Sequence, residues 1–271
     1  MKKSFETPAS VTLDVKLSGG RVELVTSEQT TTDVEVVPLA QNETSRRAAD
    51  NCQVEMVKTG RRSHVQISAP RTGLPLLGKE PSLLVTVHSR VGADVEATVA
   101  SATVNGRGMF GSVHGKTASG DFNFEQVGEL DVKSASGEVA VERIAGPCKV
   151  DTASGDVRVE ESKGPVRIRS ASGDVTMDRV EADAKVQTAS GDLLLRSVAS
   201  GRISLQSASG DMKIGVAQGS TLWVDAKSLS GETTSDLDIG EQPPDIEGPH
   251  VDLRATSMSG DIHVARADIL I

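Results

Sequence analysis

The chain has 271 residues and a net charge of −9, with 37% hydrophobic residues, one Trp, four Phe and no Tyr. This is the composition of a globular chain whose core must be built from Val, Ile, Leu and Ala. The charge is uneven: residues 1–115 carry 13 basic and 12 acidic side chains, and residues 116–271 carry 16 and 26. An acidic half repels phosphate, and there are almost no rings on which bases could stack, so nucleic acid is not an expected partner.

The chain opens with Lys2 and Lys3, as a signal segment would, but no apolar run comes after them. No stretch reaches the ~18 apolar residues of a membrane span. The expected location is cytoplasmic, with no membrane span. Residues 1–100 hold the strand-like segments VTLDVKL, RVELVT, DVEVVPL, QVEMVK, HVQISA and LLVTVHS. Ser18-Gly19-Gly20 reads as a corner, and a short helix is expected around Thr44–Cys52. This part is expected to form a β-rich cap over the first rung of residues 101–271, blocking its open edge. Cys52 and Cys148 form no C-x-x-C pair and are expected to be buried thiols.

Residues Asn105–Thr117 read NGRGMFGSVHGKT. Gly106, Gly108 and Gly111 mimic a nucleotide-binding glycine loop, and Gly111–Thr117 falls one residue short of a Walker A loop. A phosphate loop must open a helix, whose N-terminus holds the anion. Here TASGDFNF comes next, a corner and a strand, so no cofactor is expected.

The motif [ST]-[ALM]-S-G-[DE] then recurs eight times, with glycines at 120, 137, 155, 173, 191, 210, 231 and 260. The unit DVRVEESKGPVRIRSASG (156–173) alternates apolar and polar residues on both sides of Lys163-Gly164. Period two means two short strands with one buried face each. The columns repeat: Phe122, Val139, Val157, Val175, Leu193 and Met212 share one inward position. Cys148 shares another with Leu130, Val166, Ala184 and Ile203. Like residues at like positions predict that each unit stacks on its counterpart, so residues 101–271 are expected to form a parallel β-solenoid (β-helix) of about eight 18-residue rungs. A propeller blade would need about 40 residues. The glycine is expected to sit at a positive-φ corner. The Ser or Thr three residues earlier is expected to satisfy corner backbone groups and to bond along the stack.

An acid follows every corner glycine, among them Asp156, Asp174, Asp192 and Asp211. Stacked like charges about 5 Å apart need compensation. The candidates are backbone N–H donors, the basic residues Lys149, Arg167 and Lys185, or cations such as calcium. Capping and pairing are the expected answer, with no specific metal. The five histidines, at 64, 88, 114, 250 and 263, have no ligand spacing.

The last two units lengthen before the corner and replace its Ala by Leu229 and Met258. Between them, residues 239–250 with three prolines read as an extruded loop. Trp223 falls on the outward parity. The C-terminal DILI reads as a second cap or a sticky face.

With the serial TASGD and SASGD corners, the opening FETPASVTLDVKLSGGRVELVTSE and the closing LRATSMSGDIHVARA in view, the chain resembles a bacterial β-strand-repeat family of unknown function, called "putative adhesin". The resemblance implies a parallel β-solenoid and carries no catalytic residues. The chain is therefore read as a non-catalytic scaffold or interaction module presenting a flat surface to a protein partner. The alternatives are a self-assembling, adhesin-like solenoid that stacks end to end, and a carbohydrate-acting β-helix enzyme. Leu270 is the residue expected to bear on end-to-end stacking.

Overall fold

The computed structural model describes residues 1–7, 10–60, 62–69, 81–237 and 248–267. The strands form a parallel β-solenoid, and among the described residues only one short helix interrupts the β-structure. The chain divides into two compact units, residues 1–141 and 142–271.

The first unit holds β1 (Lys2–Glu6), β2 (Val11–Leu17), β3 (Gly20–Ser27), β4 (Thr31–Pro38), α1 (Glu43–Asp50), β5 (Gln53–Thr59), β6 (Arg62–Ser68), β7 (Leu83–Arg90), β8 (Ala93–Val99), β9 (Thr103–Thr117) and β10 (Phe122–Ser134). One sheet runs β5, β6, β2, β8 and then the second halves of β9 and β10. The other runs β1, β4, β7, β3 and then the first halves of β9 and β10. Within the first unit the β5–β6, β1–β4 and β4–β7 pairings are antiparallel. Parallel stacking thus begins at β2. The rung β6/β7 lies outside β2/β3, so stacking order departs from chain order.

Alternation drives the packing. Leu13, Val15, Val22, Leu24, Val65, Ile67, Val85 and Val87 all point inward and are fully buried. Removing each from water contributes roughly 1.5–3 kcal/mol. Three of the four Phe gather between the sheets: Phe110 meets Phe124 edge-on with centroids 5.3 Å apart, and Phe122 lies 6.4 Å from Phe124. The helix expected at Thr44–Cys52 is α1. Asn42 caps it by accepting the Ser45 N–H, and it buries Ala48 and Ala49.

β11 (Val139–Ile144) spans the division. The second unit holds β12 (Cys148–Thr152), β13 (Val157–Ser162), β14 (Val166–Ser170), β15 (Val175–Val180), β16 (Ala184–Thr188), β17 (Leu193–Val198), β18 (Gly201–Ser209), β19 (Met212–Val216), β20 (Thr221–Ser228), β21 (Thr233–Ser235), β22 (His250–Ser259) and β23 (Ile262–Arg266). Its strands pair in parallel: β12, β14, β16, β18, β22, β20 in one sheet and β13, β15, β17, β19, β23, β21 in the other.

The columns read in the sequence are registers in the structure. Cys148, Val166, Ala184 and Ile203 stand on one another, as do Val157, Val175, Leu193 and Met212. The rung order was not anticipated. β22/β23, last in the chain, slots between β18/β19 and β20/β21, leaving β20/β21 outermost. Composition explains the swap. β22 and β23 supply Val251, Leu253, Ile262 and Val264, all buried, whereas β21 offers only Thr233, Thr234 and Ser235, all exposed. The better apolar rung takes the interior place. Residues 239–247 of the expected loop, and Leu270 with Ile269 and Ile271, lie outside the described residues.

Candidate functional site: the corner ladder and the outward faces

The corner glycines form a ladder of close backbone contacts. A Cβ on Gly173 would sit 2.1 Å from the carbonyl oxygen of Gly155, and one on Gly191 2.1 Å from that of Gly173. The ladder continues from Gly191 to Gly210, then Gly260, then Gly231, which repeats the out-of-order stacking. Among the repeat glycines only Gly210 and Gly260 have positive φ. The expectation of a positive-φ corner throughout is therefore corrected: glycine is required because one rung presses on the next, and only at Gly210 and Gly260 by backbone conformation as well.

The hydroxyls close most corners locally, whereas those of Ser207 and Ser257 are buried with no hydrogen-bond partner among the described residues. Thr152, Ser170 and Thr188 accept the N–H of Gly155, Gly173 and Gly191 at 3.0, 2.7 and 3.0 Å. Ser134 instead donates to the Gly137 carbonyl at 2.8 Å. Bonding between rungs, expected of this column, falls mainly to the acids. Asp156 Oδ1 accepts the Asp174 N–H at 2.9 Å, Asp174 accepts that of Asp192 at 2.8 Å, and Asp192 that of Asp211 at 2.8 Å. Asp211 accepts from Asp261, and Asp261 from Glu232. Each carboxylate is held by a donor on the neighbouring rung, which offsets part of the like-charge repulsion. The structure brings Asp156, Asp174, Asp192 and Asp211 into one exposed column. Their oxygens serve the backbone, and among the described residues no cluster of His, Cys, Asp or Glu has the geometry of a metal site.

Lys149, Arg167 and Lys185 do not meet that column. They stack on one another along the outward face of β12, β14 and β16. Lys149 lies 3.7 Å from Asp151 on its own strand. Elsewhere the faces carry ion pairs between rungs: Asp178 meets Arg196 at 3.0 Å and Arg158 at 3.7 Å, and Asp252 meets Arg202 at 3.7 Å, with Arg254 of its own strand at 3.6 Å. Such exposed pairs contribute under about 1 kcal/mol each. They do keep long side chains lying flat.

On the first unit, adjacent strands align Glu96, His114 and Asp131 in one outward row and Thr98, Lys116 and Lys133 in the next. These six border a shallow groove of about 330 Å³. The glycine-rich segment Asn105–Thr117 lies wholly within β9. Gly106 makes room for the Phe124 ring, and the Gly108 N–H is held by Glu125 at 2.7 Å. It opens no helix, so it cannot cradle phosphate in the Walker manner.

Both cysteines are buried thiols outside any disulfide. Burial pushes the Cys52 thiol above its ordinary value near 9.0, against the opposing pull of the N-terminal ammonium and Lys3. Trp223 projects from β20 and is 47% exposed, with the Arg254 guanidinium 5.3 Å from its ring centroid. His263 on β23 reaches Thr234 at 3.0 Å and Asp236 at 3.4 Å. Sequence reasoning missed the Arg254–Trp223 contact and the Glu96–His114–Asp131 row. The first needs the swapped rung order, and the second needs a register across three strands. Among the described residues no helix is long and apolar enough to cross a membrane.

No curated protein matches the chain. Three solved structures align with nearly its full length at low identity. A "putative adhesin" from Parabacteroides merdae is 11% identical with a TM-score of 0.43, over 97% of this chain and 95% of that one. A "putative lipid binding protein" from Parabacteroides distasonis is 11% identical with a TM-score of 0.43, over 97% and 96%. A "putative cell adhesion protein" from Clostridium sporogenes is 9% identical with a TM-score of 0.28, over 98% and 99%. The model of the Toastrack DUF4097 family matches residues 11–265, and the chain belongs to that family.

Proposed function

We propose that the chain is a non-catalytic interaction module that offers a flat, charged sheet face to a protein partner. The observation that carries this reading is the outward face of β12, β14 and β16. Its side chains repeat in register from rung to rung, with Lys149, Arg167 and Lys185 in one column. A flat ladder of this kind binds by matching charge across a surface. Enzymes more often enclose substrate in a concave pocket.

The test is photo-crosslinking in cells of the source organism. A crosslinking residue at position 167 or 185 should capture one and the same protein, and one at the corner position 174 should not. Equal labelling from all three positions, or none from the face, sinks the reading. Carbohydrate turnover by the purified chain would do so as well.

A further inference from the structure

Among the described residues the outermost rung of the second unit, β20/β21, has an unpaired edge. Among the described residues β20 pairs only with β22, and β21 only with β23. An unpaired strand edge presents a row of N–H and C=O groups ready to accept another strand. Natural edges are blunted by proline, a bulge, or charge pointed outward. β20 reads TLWVDAKS, with no proline or glycine, and no register shift interrupts its pairing with β22. Its one lysine, Lys227, is drawn back to Asp225 on the same strand at 2.8 Å. In the first unit the outer parallel rung β6/β7 is covered by the antiparallel strands β5 and β4, so the edges there fall on β5 and β1 instead.

We propose that β20 is a homodimer interface, where it pairs antiparallel with β20 of a second copy about a two-fold axis at Ala226. An interface of this type must be self-complementary, and this register is. It sets Asp225 opposite Lys227 of the partner subunit, and Lys227 opposite the partner's Asp225. It also sets Trp223 opposite the partner's Leu229, and the reverse. Trp223 and Leu229 are 47% and 80% exposed, two of the few large apolar side chains left in solvent. Trp223, Asp225 and Lys227 share the outward parity of the strand, and Leu229 lies one residue past its end. On the inward parity, half-buried Leu222 and Val224 gain cover from the partner's strand. A register centred on Asp225 would place like charges face to face, so the charge pattern selects Ala226. The contact is closed: once two copies meet, the edge is used up and no filament grows. This interface stands apart from the face proposed above, since pairing through the edge leaves the outward faces free.

Sedimentation velocity over a concentration series tests it. The expected species are a monomer of 28.3 kDa and a dimer of twice that mass, and nothing larger. Because Trp223 is the only tryptophan, its emission should shift to the blue as the dimer forms. Lys227→Glu and Asp225→Lys should each weaken pairing by about tenfold or more, since each turns two attractive contacts repulsive. Mixing the two variants should restore pairing between them. The introduced glutamate of one then faces the introduced lysine of the other, and the native Asp225 of the first faces the native Lys227 of the second. Thermal melting of each variant checks that its fold is intact. A monomer at every concentration, growth beyond the dimer, or a mixture that fails to pair would each overturn the proposal. Crosslinking from positions 167 and 185 should be unchanged in Lys227→Glu, so the two proposals fail independently.

Discussion

Rung β14/β15 and rung β20/β21 are built from the same repeat, yet they differ in what the repeat achieves. In the first, Val166, Ile168, Val175 and Met177 have a neighbour on each side and are buried. In the second, the matching positions hold Val224, Ala226, Thr233 and Ser235, and none of them is buried. A rung in this architecture does not carry its own core. It borrows half of it from each neighbour, so the same grammar yields a rigid layer inside and a half-solvated one at the edge.

The inner rungs are most vulnerable at the glycine ladder. Gly173→Ala forces a methyl against the Gly155 carbonyl and should cost about 3 kcal/mol or more, because backbone cannot step aside cheaply. Gly219→Ala has open space around it and only a φ of +79 to strain, so about 1 kcal/mol is expected. Denaturant titration of both variants reads the difference, and equal losses would show that packing is not what the ladder demands. Met177→Ala, in the interior rung, should cost about 2–5 kcal/mol. Ser235→Ala in the outer rung should stay within about 0.5 kcal/mol.

The exposed acid column is more tolerant. Asp174→Asn keeps an acceptor for the Asp192 N–H and removes one charge from the column, so stability should hardly move. Asp174→Ala loses the acceptor and should cost about 1 kcal/mol or less, since water can reach the exposed site. Calcium should not change the melting temperature of either variant, and a calcium-dependent rise lost in Asp174→Asn would place a cation there. The smallest effect belongs to Cys52. Its thiol is raised when folded, so the unfolded chain ionises first, and stability should begin to fall as pH climbs past the ordinary thiol value near 9.0. A melt series from pH 8 upward, compared with Cys52→Ala, isolates it.

Much of the fold was legible because the repeat states its columns outright. Val157 above Val175 above Leu193 can be read from an 18-residue spacing alone. The acid column was legible for the same reason, and so was its need for compensation. What supplies it was not: the donor to Asp156 is a backbone N–H one rung away, and backbone groups leave no mark in sequence. The place of the last rung was equally hidden. The spacings of 21 and 29 residues announced a disturbance, but either order of the final units satisfies the columns. Burial decided it, since Ile262 and Val264 gain more from an interior place than Thr233 and Ser235 would. In the first unit the repeat fades, so the parallel stacking of β2, β6 and β8 could not be read from periodicity.

The swapped rung also constrains how the protein is made. Most solenoids can in principle extend turn by turn as they leave the ribosome. Here residues 221–235 emerge before the strands that must hold them, and those strands, 250–266, come last. Synthesis therefore passes through a stage in which a finished stack trails an unplaced rung. That rung gains its native neighbours only when residues 250–266 enter between it and β18/β19. The closing segment acts as a keystone, and a nascent chain stalled before residue 250 would lose the anchorage of two rungs rather than one.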